Sequence, residues 1–344
     1  MIHLLRASHA NEFELQNYAG IAKELDIHVI TSHHPLTDIS LPSTRLWSPT
    51  DLPNFPFRRQ ILNRLIGGEQ WLLGLEKIIS DHYHDSNHSS IVHSAETYTP
   101  YTHQAVQLHK RGLIRKLVCT CWETIPHNNE KFRRLRQWKQ DAYRYVDLFH
   151  TPTRRAKQAL ITEGVDPGKI VVIPYGVDLI RFKPLRSVAK RGHHPVVLTV
   201  ARPVYEKGID IFREVSGKLS SIADFRFVSD AKYSEMPSVY QSADLFFLPS
   251  RTTPTWEEQY GMALIEAMAC GLPIVTTRSG AIPEVVGNAG ITLQECDVEN
   301  MVKTIKDLLN NPVKLKRYSM LSLARAKQLY DSDKITTKLA KLYS

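Results

Sequence analysis

Residues 246–280 read FFLPSRTTPTWEEQYGMALIEAMACGLPIVTTRSG. A short apolar strand ends at Pro249, a polar loop follows, and a helical pattern runs from about Met262 to Cys270. Gly271-Leu272-Pro273 stops that helix, and Pro273–Thr276 reads as the next strand. Strand, helix and strand in one short stretch describe a parallel crossover unit. Glu258 sits just before Gly261, and seven residues separate Glu258 from Glu266. The start of a helix carries free N–H groups and the positive end of its dipole, so Gly261 and Met262 mark an anion site that a ligand can approach closely. A carboxylate ahead of that helix can accept hydrogen bonds from hydroxyls, and a second one two turns later can accept from a hydroxyl pair such as a ribose.

A second signal lies upstream, in VARPVYEKGID at 200–210. Arg202 and Lys207 follow a strand and flank a turn before a helix. A planar guanidinium fork and a point-charge ammonium at a strand's carboxyl end form a clamp for a diphosphate. The same alternation extends both ways. Strands are expected at Ile2–Leu5, His28–Thr31, Ile91–His93, Leu117–Cys121, Leu148–His150 and Ile170–Ile173, with Glu12–Leu25 a helix. A turn-rich stretch around Pro174-Tyr175-Gly176 and a basic linker at Arg186–His194 interrupt the pattern. Strands resume at Val196–Val200, Phe225–Val228, Leu245–Leu248, Pro273–Thr276 and Ile291–Leu293, and helices at about 298–310 and 312–330 end the chain. The fold class is α/β: two Rossmann-like, doubly wound parallel-sheet domains facing across a cleft. Ligands are expected outside the carboxyl ends of the strands.

The chain has 344 residues, which suggests about two domains. Its hydrophobic fraction of 42% excludes a disordered chain. Mean hydropathy is −0.27, and no stretch nears the ~18 apolar residues of a membrane span. Residues 1–10 are too interrupted for a secretory signal, and four cysteines make no disulfide framework, so a reducing cytoplasm is expected. The net charge of +9 points to an anionic partner. Residues 110–144 hold ten Lys/Arg against three acids, a local charge of +7. Thirteen of the fifteen histidines precede residue 151, so acid near pH ~6 is expected to charge that half first.

At these motifs the chain resembles the family 4 retaining glycosyltransferases of the GT-B fold. The segment TPTRRAKQALITEGVDPGKIVVIPYGVDLIRFKP at 151–184 is similar to the family's stretch before its interdomain hinge, and Glu258 and Glu266 match its E-x7-E motif. The resemblance implies an acceptor domain at 1–178, a nucleotide-sugar domain at 179–326 and a returning C-terminal helix at 327–344. It implies that Arg202 and Lys207 hold the donor diphosphate, that Glu258 contacts the transferred sugar and that Glu266 contacts the ribose. It implies no cofactor and no divalent metal. The first βα loop, Ala7-Ser8-His9-Ala10-Asn11, lacks the family's glycine pair, and Trp122-Glu123 stands where many members have histidine. His9, Asn11, Glu96 and Glu123 are the acceptor-side candidates. The acceptor is expected to be a glycan, a lipid-linked or a phosphorylated molecule, met in the cytoplasm or at the inner face of an anionic membrane.

Plainer readings stand beside these. Glu258 and Glu266 could be a helix-start acid and a surface acid, Lys207 a surface lysine and Arg202 half of a structural ion pair. Asp81, His82, His84, Asp85 and His88 are expected in a polar loop, and their spacing fits no compact metal template. Cys119 and Cys121 alternate on a strand and suit packing. Gln60–Ser80 is amphipathic, broken at Gly67-Gly68, and reads as core-facing. Two rival functions remain. One is a GT-B nucleotide-sugar epimerase. The other is a basic nucleic-acid binder, disfavoured because it leaves the Glu258–Glu266 region unexplained; it requires Trp122, Phe132, Trp138 and Tyr143 to share a surface with the cations.

Overall fold

A computed structural model describes residues 1–86, 90–185 and 194–344, with the side chains of 82–86 outside that description. The chain divides into two compact units, Met1–Ile173 with Ile335–Ser344, and Pro174–Lys334. Most of the expected linker, and the side chains of His82, His84, Asp85 and His88, lie outside the described residues. Among the described residues no helix is long and apolar enough to cross a membrane.

The first unit holds seven strands: β1 (Ile2–Ala7), β2 (Ile27–Thr31), β3 (Ser43–Arg45), β4 (Ser90–Ala95), β5 (Ile114–Thr120), β6 (Leu148–Thr151) and β7 (Ile170–Val172). They form one parallel sheet in the order β3-β2-β1-β4-β5-β6-β7. Every residue of β1 and β4 is buried, as expected for strands covered on both faces. Leu5, Val92, Leu117 and Phe149 share a core with Leu72, Leu75 and Ile79 from the connecting segments. The strand order reverses at the β1/β4 pair, so the crevice beyond their carboxyl ends is the topological switch point.

The sheet's interior also carries polar groups. Arg6 is buried and reaches Glu14 (2.8 Å) and the carbonyls of Leu5 and His93. His93 contacts Tyr343 and Thr120, each at 2.7 Å, and Thr120 contacts His150 at 2.9 Å. Tyr343 belongs to the chain's last residues, so this chain of bonds ties the C-terminus into the first sheet. Burial drives both imidazoles toward the neutral form, with His150 down to about 4 and His93 well below its ordinary value. Two of the histidines expected to charge near pH ~6 therefore stay neutral there. Cys119 and Cys121 are buried, their Sγ atoms 3.8 Å apart.

The second unit holds β8 (Val196–Val200), β9 (Asp224–Val228), β10 (Leu245–Leu248), β11 (Ile274–Thr277) and β12 (Ile291–Leu293), parallel in the order β12-β11-β10-β8-β9. Val197, Phe247 and Val275 pack against Phe212, Met301 and Ile305 from the helices Ile209–Leu219 and Val298–Leu309. Its order reverses at β8/β10.

Three local expectations change. Glu12–Leu25 is not one helix: Glu12–Leu15 is followed by two short turns, Gln16–Tyr18 and Ile21–Lys23. The Thr336 hydroxyl donates to the Asn17 carbonyl (2.8 Å), taking the acceptor a continuing helix would use. The Leu75–Ser86 helix runs through Asp81, where a polar loop was expected. The amphipathic stretch splits in two: Leu75–Ser86 buries Leu75 and Ile79, while the helix Arg58–Ile66 buries nothing, so the core-facing reading fails for that half.

Candidate active site

The second unit assembles its candidates around its switch point. Lys207 ends a short turn, Tyr205–Lys207, that follows β8. Glu258 lies in the loop that follows β10. Lys207 Nζ sits 2.6 Å from Glu258 Oε2 and 5.0 Å from the centre of the Trp256 ring. Ser250 also donates to Glu258 Oε2, at 3.0 Å. Both side chains are largely buried, so this ion pair is weakly screened. The backbone holds Glu258 as firmly: its carbonyl accepts from Ala281 N at 2.7 Å. Gly280, at φ +53°, makes that approach feasible, since a Cβ there would fall 2.2 Å from the Glu258 carbonyl oxygen.

Gly261, at φ +82°, is the N-cap of the Met262–Ala269 helix, and no side chain caps its first turn. Met262 is half-buried at the first helical position. Glu266 is buried on that helix, where its Oε2 accepts from the Tyr240 hydroxyl at 2.7 Å. Burial pushes its carboxyl up to about 7, a rise limited by the Tyr240 and Tyr233 hydroxyls and by Arg181. Arg202 is exposed after β8, its carbonyl accepting from Val204 N. The structure thus joins Lys207 to Glu258, while Glu266 sits in a separate aromatic cage. Ser250, Trp256, Tyr240 and Gly280 were missed from sequence. Only the Ser279-Gly280 pair after a strand carried a signal, that of a turn.

In the first unit, His9 and Asn11 follow β1 and Glu96 follows β4, again the two strands of the switch point. Asn11 caps the Glu12–Leu15 helix by accepting from Glu14 N (2.8 Å) and donates to the His9 carbonyl (2.7 Å). The exposed His9 ring meets Gln70 Nε2 at 2.8 Å. Glu96 adopts φ +60°, and its Oε1 accepts from Trp122 N at 2.8 Å. Burial, then the charge of Glu123, pushes the Glu96 carboxyl well up. Glu123 is occupied with its own loop: it accepts from the amides of Thr124 and Ile125 and from the side chains of Asn128 and Asn129. Glu96 and Glu123 line one pocket with Tyr98, Cys121, Lys139 and Glu163. His127, Glu130 and Glu163 cluster closely enough to suggest a cation, and the Lys139 ammonium sits there, 3.0 Å from Glu130 and 2.8 Å from Glu163.

Two family models match the chain: Glycosyltransferase Family 4 over residues 19–181 and Glycosyl transferases group 1 over residues 216–323. The chain belongs to the family 4 glycosyltransferases. It is 25% identical over 243 residues to the GDP-mannose-dependent monoacylated alpha-(1-6)-phosphatidylinositol monomannoside mannosyltransferase of Corynebacterium glutamicum, covering 60% of this family 4 chain and 61% of that protein. It is 29% identical over 204 residues to sulfoquinovosyl transferase SQD2 of Arabidopsis thaliana, covering 49% of this chain and 39% of that one. The matched regions therefore span about half of these relatives' length. The solved structure of Anabaena Alr3699/HepE in complex with UDP and glucose is similar in fold, with a TM-score of 0.73 at 16% identity over 99% of this chain and 98% of that one.

Proposed function

We propose that the protein transfers a hexose from a nucleoside-diphosphate sugar to a glycan or lipid-linked acceptor, with retention at the anomeric carbon. The observation that carries this reading is the Lys207–Glu258 contact at the β8/β10 switch point, a cation and a hydroxyl-accepting carboxylate held together beside an uncapped helix start. Lys207, Arg202 and the amides after Gly261 take up the charge that develops on the leaving diphosphate, with Met262 against the donor. Glu258 accepts from the hydroxyls of the transferred sugar, and Glu266 from the ribose. The acceptor oxygen attacks from the face the diphosphate leaves, and a phosphate oxygen takes its proton. In this reading the cationic side chains do the neutralising, with no divalent metal and no cofactor. The first unit holds the acceptor through His9, Asn11, Glu96 and Glu123. A lipid-linked acceptor is supported by the name of the phosphatidylinositol monomannoside mannosyltransferase and by the basic segment at 110–144, and it places the protein at the inner face of a membrane.

Calorimetry with UDP, GDP and ADP tests the donor site. Arg202→Ala and Lys207→Ala should each weaken the best-bound nucleotide by about 1.5–3 kcal/mol. Glu258→Gln should keep nucleotide binding and lower turnover, and Glu266→Gln should weaken nucleotide binding itself. Unchanged affinity in both cation variants would sink the reading.

A further inference from the structure

The helix Arg58–Ile66 and the loop before it form an exposed apolar surface on the first unit. None of its nine residues is buried. Phe57 is 72% exposed, Leu65 65%, Ile61 42% and Phe55 41%. Ile61, Arg64 and Leu65 share one face of the helix, at i, i+3 and i+4. From Leu52 to Gly68 the sequence holds three arginines and no acid. Arg58 is committed to Glu69 at 3.2 Å, whereas the exposed Arg64 has no ion-pair partner among the described residues.

The helix is nonetheless anchored. Arg134 donates to the Leu65 carbonyl (2.7 Å), and the Trp71 indole donates to the Ile66 carbonyl (3.1 Å). Trp71 packs edge-on against the buried Trp138. The Arg134 bond brings the start of the basic helix Arg133–Tyr145 beside the apolar helix, and with it the exposed Lys131 and Arg133. The four aromatic residues of 110–144 do not add to this surface, since Trp138 is buried and Trp122, Phe132 and Tyr143 are half-buried.

We infer that this face docks on an anionic phospholipid bilayer, Phe57, Ile61 and Leu65 entering the headgroup boundary while Arg64, Lys131 and Arg133 meet lipid phosphates. The charge selects the occupant: a face with large apolar side chains beside exposed cations that have no ion-pair partner among the described residues suits a negative, partly apolar interface. The face also lies close to the β1/β4 switch point, because Arg58, at the head of the same helix, pairs with Glu69 at 3.2 Å, and the next residue, Gln70, meets the His9 ring at 2.8 Å. A lipid-borne acceptor would arrive beside the acceptor-side residues. The inference rests on the lipid-linked acceptor proposed above, but vesicle binding is read without turnover, so each can fail alone.

The test is co-sedimentation of the full chain with phosphatidylglycerol and with phosphatidylcholine vesicles. The protein should pellet with the first at low salt, release as salt rises, and ignore the second. Each engaged cation contributes about fivefold in partitioning, so Arg64→Glu with Lys131→Glu and Arg133→Glu should cut the bound fraction at least tenfold. Phe57→Ser with Leu65→Ser should leave weak binding at low salt and abolish what persists at moderate salt. Nucleotide affinity, read on the second unit, should match wild type in both variants, and far-ultraviolet circular dichroism should show the first unit folded. Equal recovery in the supernatant with and without phosphatidylglycerol would overturn the inference. So would self-association in sedimentation velocity that Phe57→Ser with Leu65→Ser removes while vesicle binding is absent, because the face would then cover a second copy.

Discussion

Glu258 and Glu123 both lie in loops beyond the carboxyl end of a buried parallel strand, and they use their charge in opposite ways. Glu258 reaches across a switch point to a lysine from another strand's loop. Glu123 spends both oxygens on its own loop, on two amides and two asparagine side chains. In the second unit the result is a cation held in place, with the exposed Arg202 near in sequence, which suits a phosphate. In the first unit the result is a carboxylate that raises its neighbour Glu96, in a pocket that gathers Glu96, Glu123 and Glu163 around Lys139. The same fold element therefore carries a cation-paired carboxylate in one unit and a loop-bound carboxylate in the other, according to which loop supplies the partner.

The sharpest way to break this contrast is at Gly280. Gly280→Ala places a methyl 2.2 Å from the Glu258 carbonyl at a left-handed position, which should cost about 4 kcal/mol of stability through overpacking and strain. Chemical denaturation would read it. A variant within ~1 kcal/mol of wild type would mean that the loop is not held by this close approach.

Acid should separate the units next. His93 and His150 have lowered values in the folded first unit and the ordinary ~6.5 when unfolded. Their neutral burial is fully compatible with folding above pH ~6.5. As pH falls below that, the unfolded chain binds protons that the folded chain refuses, and stability drops. For His150, at about 4 in the fold, the loss approaches about 3 kcal/mol by pH ~4. Denaturation followed by tryptophan fluorescence should show the first unit, which holds all but one of the five tryptophans, weakening between pH ~6.5 and ~4. His150→Gln should flatten that slope.

The smallest effect concerns Glu96. Its raised carboxyl is favoured in the protonated form, so its ionisation at neutral pH works against folding, and stability from this group returns as pH falls. Glu96→Gln keeps an acceptor for Trp122 N and removes the charge beside Glu123. It should stabilise the protein by about 1 kcal/mol at neutral pH and less in acid, whereas Glu123→Gln should destabilise by a similar amount because it weakens the loop's acceptor. Equal thermal shifts for the two would erase the distinction drawn between them.

Much of this was legible in the amino-acid order. Strands Val196–Val200 and Leu245–Leu248 coincide with their apolar runs, because a strand buried on both faces needs a near-continuous one. Edge strand Ser43–Arg45 left no trace, being short, polar and partly exposed. Glu258, Lys207 and Glu266 stood out by spacing and by resemblance. Ser250, Trp256 and Tyr240 did not, because their roles depend on side chains from different loops and helices meeting.

Local chemistry by itself determined most of the element types, the two parallel sheets and which loops carry charge, since periodicity, proline and glycine act over a few residues. Only the tertiary structure decided which charges pair and which apolar faces are covered. One amphipathic stretch shows the difference: Leu75–Ser86 found a core for Leu75 and Ile79, and Arg58–Ile66 found none. Burial is a property of what lies opposite a side chain, and that neighbour is brought there by strand order, which the pattern of a single helix does not contain.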